Sequence, residues 1–155
     1  MVRKAELKDA GEIARILYQV NDVHAKGRPD IFRTGGVKYD RKAVEGLIAD
    51  PDMQIFVSEN KEGGLGGYLI SWFEITAEDT SRHARKSLYI DDLCVDECMR
   101  GKDTGTKLYE EAAAFAKENG CDSITLNVWE CNPGARIFYE KKGLVPLKTT
   151  MEKVL

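Results

Sequence analysis

The 155-residue sequence predicts an α/β chain of the α+β type, a mixed central sheet with helices on both faces. Three observations predict it. Apolar and alternating runs at 54–59, 67–75 and 87–95 read as consecutive strands, hence a mostly antiparallel meander. A helical period over 103–119 lies between the last of these and a further strand at 123–129, which makes a βαβ crossover. Two helical patterns precede the meander and one follows the crossover, so apolar stripes are available for both sheet faces.

Each element has a local reason. Val2 to Glu6 reads as a short edge strand. Asp9 is placed to cap a helix whose buried stripe is Ile13, Ile16, Leu17 and Val20. Lys26-Gly27-Arg28-Pro29-Asp30 breaks that helix, and Gly35-Gly36 prolongs the irregular stretch. A shorter helix turns Val44, Leu47 and Ile48 inward and stops before Pro51. Lys61-Glu62-Gly63-Gly64 is the turn of a hairpin, and Ala77 to Arg85 is a polar loop. In the helix after the third strand, Leu108, Ala112, Phe115 and Ala116 face inward and Gly120 ends it. Asn132 caps the final helix, Pro133 fills its first position, and Gly143 stops it. Leu144 to Leu155 is expected to hold one or two last strands.

Composition bounds the function. The length fits a single domain spanning 1–155. A formal net charge of -3 argues against general nucleic-acid binding, which needs a basic face. No apolar run is long enough for a bilayer, so no membrane role is expected. The start, Met1-Val-Arg-Lys-Ala-Glu, lacks a signal-peptide pattern, and a cytoplasmic location is the default expectation. Cys94, Cys98, Cys121 and Cys131 form no CxxC pair and read as reduced thiols. His24 and His83 sit in unrelated contexts, so no metal site is expected.

The most informative stretch follows the strand that ends at Val95. The run Arg100-Gly101-Lys102-Asp103-Thr104-Gly105-Thr106 is rich in Gly and cations and opens a helix. Backbone N–H groups of such a turn, with a helix N-terminus behind them, attract an anion such as a phosphate. It is neither a Walker loop nor a dinucleotide fingerprint, since the required glycine spacing is missing. A second run, from Leu126 through Asn132, Ala135, Phe138 and Tyr139 to Gly143 and Leu144, follows across the crossover.

Together these two runs resemble the GNAT superfamily of acyl-CoA-dependent N-acetyltransferases. Arg100 and Gly105 match the ends of that family's pyrophosphate loop, and Asn132, Ala135, Phe138, Tyr139 and Gly143 match its later segment. The match is firm from Tyr89 to Leu144 and rests on element order before that. The resemblance implies a GNAT-like fold, acetyl-CoA as co-substrate, and a small-molecule or protein amine as acceptor. It implies that Gly101 to Thr106 supply backbone donors to the diphosphate. It also implies a splayed strand at Leu93, Cys94 and Val95, whose backbone bonds the pantetheine, with the Leu93 N–H polarising the thioester carbonyl. By the same resemblance Asn132 bonds the pantetheine arm; as a residue it also suits a helix cap.

Acyl transfer from a thioester to an amine needs a neutral amine, a polarised carbonyl and a proton for the departing thiolate. Tyr139 matches the family's acid; the alternative is a core aromatic whose hydroxyl is satisfied elsewhere. Asp91 and Asp92 lie inside a strand, where neighbours point to opposite faces. A charged residue there is costly unless paired or working. The family often has an acidic residue on this strand that draws the amine proton. Asp91 is the first candidate and Asp92 the second; a structural acceptor is the alternative for both. Cys94 lacks a His or cation beside it and reads as a small buried residue.

One residue departs from the pattern. Asp103 stands where the family usually has Gly. Asp is a good N-cap, worth roughly 1 kcal/mol over Ala. A carboxylate about 5 Å from a diphosphate charge costs of order 3 kcal/mol before screening. Weakened CoA binding is expected, and a CoA-binding sensor with little catalysis is the alternative function. His24, Arg28, Asp30 and Phe32 crowd the break after the first helix, where the family builds a wall of its acceptor pocket. Arg beside His suits a carboxylate or phosphate on the substrate; a capped helix end with a rigid turn is the alternative. Trp72, Phe73 and Trp129 are placed either to line the cleft or to pack in the core. Exposed edge strands in the final segment would permit a homodimer.

Overall fold

The computed structural model describes all residues, 1–155. In chain order the elements are β1 (Val2–Lys4), a 3-10 turn (Leu7–Asp9), α1 (Ala10–Gly27), α2 (Arg41–Ala49), β2 (Met53–Glu59), β3 (Leu65–Thr76) and β4 (Arg85–Val95). A second 3-10 turn (Glu97–Met99), α3 (Thr104–Glu118), β5 (Ser123–Leu126) and α4 (Pro133–Lys141) follow. The sheet runs β1-β2-β3-β4-β5, antiparallel throughout except for the parallel β4–β5 pair. That is the meander and crossover the sequence predicts. No helix is long and apolar enough to cross a membrane.

The two sheet faces carry separate cores. On one, Ile13, Ile16 and Leu17 of α1 and Val44 of α2 pack on Ile55, Val57, Tyr68 and Ile70. On the other, Leu108, Ala112 and Ala116 of α3 pack on Phe56, Leu69, Leu88 and Ile90. Val20, Leu47 and Ile48 are half-buried at the rim of the first core. Each fully buried Ile or Leu contributes roughly 1.5–3 kcal/mol of transfer free energy. These stripes therefore fix how the helices lie on the sheet.

Polar contacts then fix where the chain turns. Asp9 stands at the start of α1, but its carboxylate caps no α1 amide. It accepts the Glu6 N–H at 2.8 Å and is gripped by Arg3 at 2.7 and 3.0 Å. The expected cap is thus a clamp between β1 and the turn before α1. Asp96, buried just after β4, accepts the Cys98 N–H at 3.0 Å and Arg15 of α1 at 2.6 Å. It anchors the glycine-rich turn to the first helix. Gly27 ends α1 where a Cβ would meet Cys131 Cβ at 2.7 Å, so α1 and the segment before α4 touch there.

Four expectations are corrected. β4 is one residue longer than β3 over their shared span: Ile70 pairs with Asp92 and Ser71 with Ile90, leaving Asp91 unpaired in a bulge. Ile90 and Leu93 pack on the α3 side, while Cys94 and the Asp92 partner Tyr68 belong to the α1 side. The extra residue therefore turns Asp91 and Asp92 to the same face, not to opposite ones. Strand β5 stops at Leu126, three residues before the expected Trp129. Residues 144–155 form no strand, and 145–155 make no backbone–backbone hydrogen bond. Asp103 sits at the N-cap of α3 with a left-handed φ of 60°, and its side chain caps nothing.

Asp103 is the one non-glycine residue with positive φ. A β-branched side chain at that backbone costs about 1–2 kcal/mol, while glycine carries no such penalty. Asp103→Val is expected to lower unfolding free energy by about that amount, and Asp103→Gly not to lower it. Urea denaturation of the three proteins checks this.

Candidate active site

The site begins where two parallel strands part. Pairing of β4 with β5 ends at Ile90–Leu126, yet β4 continues to Val95. From Asp91 onward β4 has no neighbour on that side. The Asp96 N–H bonds the Gly66 carbonyl at 3.0 Å, and antiparallel pairs alternate from there. Cys94 and Asp92 thus point their backbone groups at β3, while Leu93 and Val95 point theirs into the gap. Two residues with free N–H and C=O groups on an interior strand form a ready site for an amide-bearing chain.

The two carboxylates stand at the head of this gap. Asp91 is only 9% exposed at its side chain. It takes the Lys38 ammonium at 2.6 Å on one oxygen and the Tyr39 hydroxyl at 2.9 Å on the other. Burial, then the bond to Asp91, pushes the Tyr39 hydroxyl far above its ordinary range. Asp92 accepts the Tyr68 hydroxyl at 3.0 Å. Although part of its surface reaches the gap, its carboxyl is densely enclosed, and that burial raises it from 3.8 to about 6. The Lys38 charge and the Tyr68 hydroxyl pull the other way, and the neighbouring Asp91 adds to the rise.

Tyr139, on α4, packs at the rim of the α3-side core. Its ring lies 5.1 Å from Phe138 and 6.5 Å from Tyr109. Burial first, then the charge of Asp92, holds its hydroxyl far above 10, so it keeps its proton at any physiological pH. No protein hydrogen bond holds that hydroxyl. Asn132 accepts the Ala135 N–H at 3.2 Å and caps α4. Cys94 is 5% exposed and raised to about 12 by burial, a thiol with no basic partner.

The glycine-rich turn lies at the far end of the gap. Gly101 has φ of 76° and Asp103 of 60°, and α3 starts directly after them at Thr104. The first helical bond is Lys107 N–H to the Asp103 carbonyl at 3.0 Å, which leaves the Thr104, Gly105 and Thr106 amides without helical partners. Gly105 is held within 3.3 Å of Val95 and 3.6 Å of Phe138, measured to an added Cβ. Arg100 extends into solvent with only a loose 3.9 Å contact to Glu97. Lys102 folds back on the Cys98 carbonyl at 3.0 Å. These donors, together with the free β4 edge, fit the long, anionic, amide-bearing shape of an acyl-CoA.

The residues after α1 divide. His24 stacks at 5.0 Å on Phe32, which meets Trp129 edge-on at 4.9 Å. Burial, then the Lys38 charge, lowers the His24 imidazole. These three rings form one cluster that joins the end of α1 to the segment after β5. Arg28 is not free beside His24: its guanidinium binds Asp30 at 2.7 and 2.8 Å and Glu152 at 2.9 Å. Trp72 stacks at 4.8 Å on Tyr89, on the carboxylate face, whereas Phe73 stacks on Phe115 in the other core. Lys38, Tyr39 and Tyr68 escaped the sequence reading. Only Tyr68 carried a signal, a hydroxyl on a strand face otherwise apolar, which needs a buried partner.

The comparisons agree with this geometry. A family model described as the acetyltransferase (GNAT) family matches residues 17–144. Glucosamine 6-phosphate N-acetyltransferase of Arabidopsis thaliana is 33% identical over 127 residues, 77% of this chain and 79% of that protein. Thialysine N-epsilon-acetyltransferase of Bos taurus is 23% identical over 92% of this chain and 82% of that protein. Among solved structures, a mutant of the BH1408 protein of Bacillus halodurans superposes with a TM-score of 0.95 at 31% identity, covering 100% of this chain and 99% of that one. The Arabidopsis enzyme's crystal structure gives 0.70 at 25% identity over 99% and 97%. A splayed β4–β5 pair, a glycine-rich turn opening α3 and a sequence match over most of its length assign this chain to the acetyltransferase (GNAT) family.

Proposed function

We propose that this protein is an N-acetyltransferase that moves an acetyl group from acetyl-CoA to a primary amine by direct attack in a ternary complex. The observation that carries the reading is the Tyr139 hydroxyl, which has no protein partner and on which the charge of Asp92 bears. Asp92 is itself a carboxyl raised to about 6. The two groups supply opposite halves of the proton traffic that aminolysis of a thioester needs. Acetyl-CoA supplies the activated acyl group. The residues that fit it are Leu93 and Val95 along the pantetheine, and Gly101 to Thr106 with Arg100 and Lys102 around the diphosphate.

The roles divide by environment. Asp91, already bonded to a cation, binds and orients the acceptor ammonium. Asp92, enclosed and raised to about 6, takes its proton. The Leu93 N–H is placed to polarise the carbonyl, and Tyr139 protonates the departing sulfur. No covalent enzyme intermediate is needed, and Cys94 at about 12 is no nucleophile. A small-molecule amine is the favoured acceptor class, because the relatives are named for glucosamine 6-phosphate and thialysine. A protein amine is the second class. The one observation favouring a CoA-binding sensor with little catalysis is Asp103, whose carboxylate stands at the diphosphate turn.

The homodimer reading shifts ground. It now rests on the C-terminal segment and the outer edge of β5. Val145, Leu147, Met151 and Val154 are 70–86% exposed, and their backbone is unbonded. The outer edge of β5 is likewise unpaired. Eleven residues extended reach about 36 Å, enough to lie along a second copy and bury both.

Three outcomes are expected. Thiol release from acetyl-CoA across a panel of small amines should require an amine and fall at least about 100-fold in Tyr139→Phe; CoA binding with no turnover on any amine would favour the sensor. Because Asp92 acts ionised and its folded value is raised, the rate should climb as pH rises through about 6, and Asp92→Asn should lose both the rate and that limb. Light scattering should give a dimer for the full chain and a monomer after deletion of residues 145–155; a full chain that is monomeric at tens of micromolar would end the dimer reading.

A further inference from the structure

Lys38 occupies the acceptor side of the gap in a manner the fold does not require. It belongs to the irregular stretch between α1 and α2, next to Tyr39, which packs at the rim of the first core, and Asp40, which caps α2 through the Ala43 N–H at 2.8 Å. Those two neighbours hold the segment in place without it. Yet its ammonium lies 2.6 Å from Asp91, the bulged carboxylate, and 3.4 Å from the Asp91 carbonyl. Its charge also bears on Asp92 and on His24. Base, ammonium seat and aromatic wall therefore converge on one nitrogen at the end of a flexible four-carbon stem.

That nitrogen has the chemistry of the substrate. Lys38 is half exposed and its four-carbon stem is flexible, so its ammonium can leave Asp91 and be replaced there by another alkylammonium. We propose that Lys38 is a tethered acceptor: it fills the amine seat when no substrate is bound, and it is acetylated there by the enzyme itself. The inference rests on the N-acetyltransferase reading and deepens it, since a seat that takes a lysine side chain selects unbranched primary alkylamines.

The step balances. The Lys38 ammonium gives one proton to the carboxylate pair and from there to solvent. Its neutral nitrogen forms a C–N bond to the acetyl carbon and gives up a second proton, the C–S bond breaks, and the departing sulfur gains a proton through Tyr139, so that CoA leaves as the thiol. The product amide is uncharged and no longer pairs with Asp91. Acetylated Lys38 thus vacates the seat, and the first turnover on the chain itself frees the site for external amine.

The test uses the whole protein with acetyl-CoA and no added amine, read by intact mass and peptide mapping. One acetyl group is expected at Lys38, absent in Lys38→Arg, and slowed at least about tenfold in Tyr139→Phe. Exposed Lys26 and Lys61 serve as controls for chemical acetylation. A second readout needs no acetyl-CoA: calorimetric binding of butylamine should be about fivefold tighter to Lys38→Ala than to the native protein. Lys38 left unmodified by a preparation that acetylates an added amine overturns this inference alone. Equal acetylation in Tyr139→Phe, or of Lys26 and Lys61 as fast as Lys38, also overturns it. Equal butylamine affinities remove the competition between Lys38 and substrate. Failure of both self-acetylation and turnover on every amine overturns the proposed function as well.

Discussion

The site depends on one unpaired residue in β4. Asp91 is the extra residue of a bulge against β3, and its presence reverses the side-chain alternation from that point on. Were β4 regularly paired through Asp91, Asp92 would lie with Ile90 under α3, and Tyr68 would lose its buried acceptor. With it, two carboxylates share the face bounded by α1, α2 and the irregular segment between them. The same stretch of β4 also loses its neighbour, because β5 turns away after Leu126. A strand bent at Asp91 and unpaired beyond it offers backbone groups and carboxylates to one gap.

The surroundings make that gap chemically uneven. The charge of these carboxylates bears on three tyrosine hydroxyls, and they differ in what they do. Tyr39 and Tyr68 donate to Asp91 and Asp92 and so hold the carboxylates in place. Tyr139 donates to nothing in the protein. Burial raises the hydroxyl of all three, but only the last is left with a proton to give to something else. The low polarity that keeps Tyr139 protonated is the same that lifts Asp92 toward neutrality. In the proposed mechanism, burial tunes acid and base together.

Asp103 illustrates how a motif residue and a backbone constraint diverge. Read along the chain, it is a favourable helix cap beside an anion site. In the fold it adopts a left-handed backbone that glycine accepts freely, and its carboxylate makes no capping bond. The family's preference for glycine there is thus explained twice, by φ and by charge. Asp is among the side chains that tolerate this region best, which is why the turn keeps its shape around the substitution.

The sequence by itself determined the meander and crossover, the helix faces, the glycine-rich turn before α3 and the identity of Tyr139, Asn132, Asp91 and Asp92 as candidates. These follow from periodicity, turn chemistry and short motifs, all of which act over a few residues. Only the tertiary structure decided which way the carboxylates face, since a bulge is a mismatch between two strands and neither strand records it. It also decided that Arg28 is occupied by Asp30 and Glu152, the latter 124 residues away, and that the final twelve residues form no strand. Lys38 and Tyr39 entered the site for the same reason. Their place is set by how α1 and α2 pack on the sheet, and packing is a property of distant pairs.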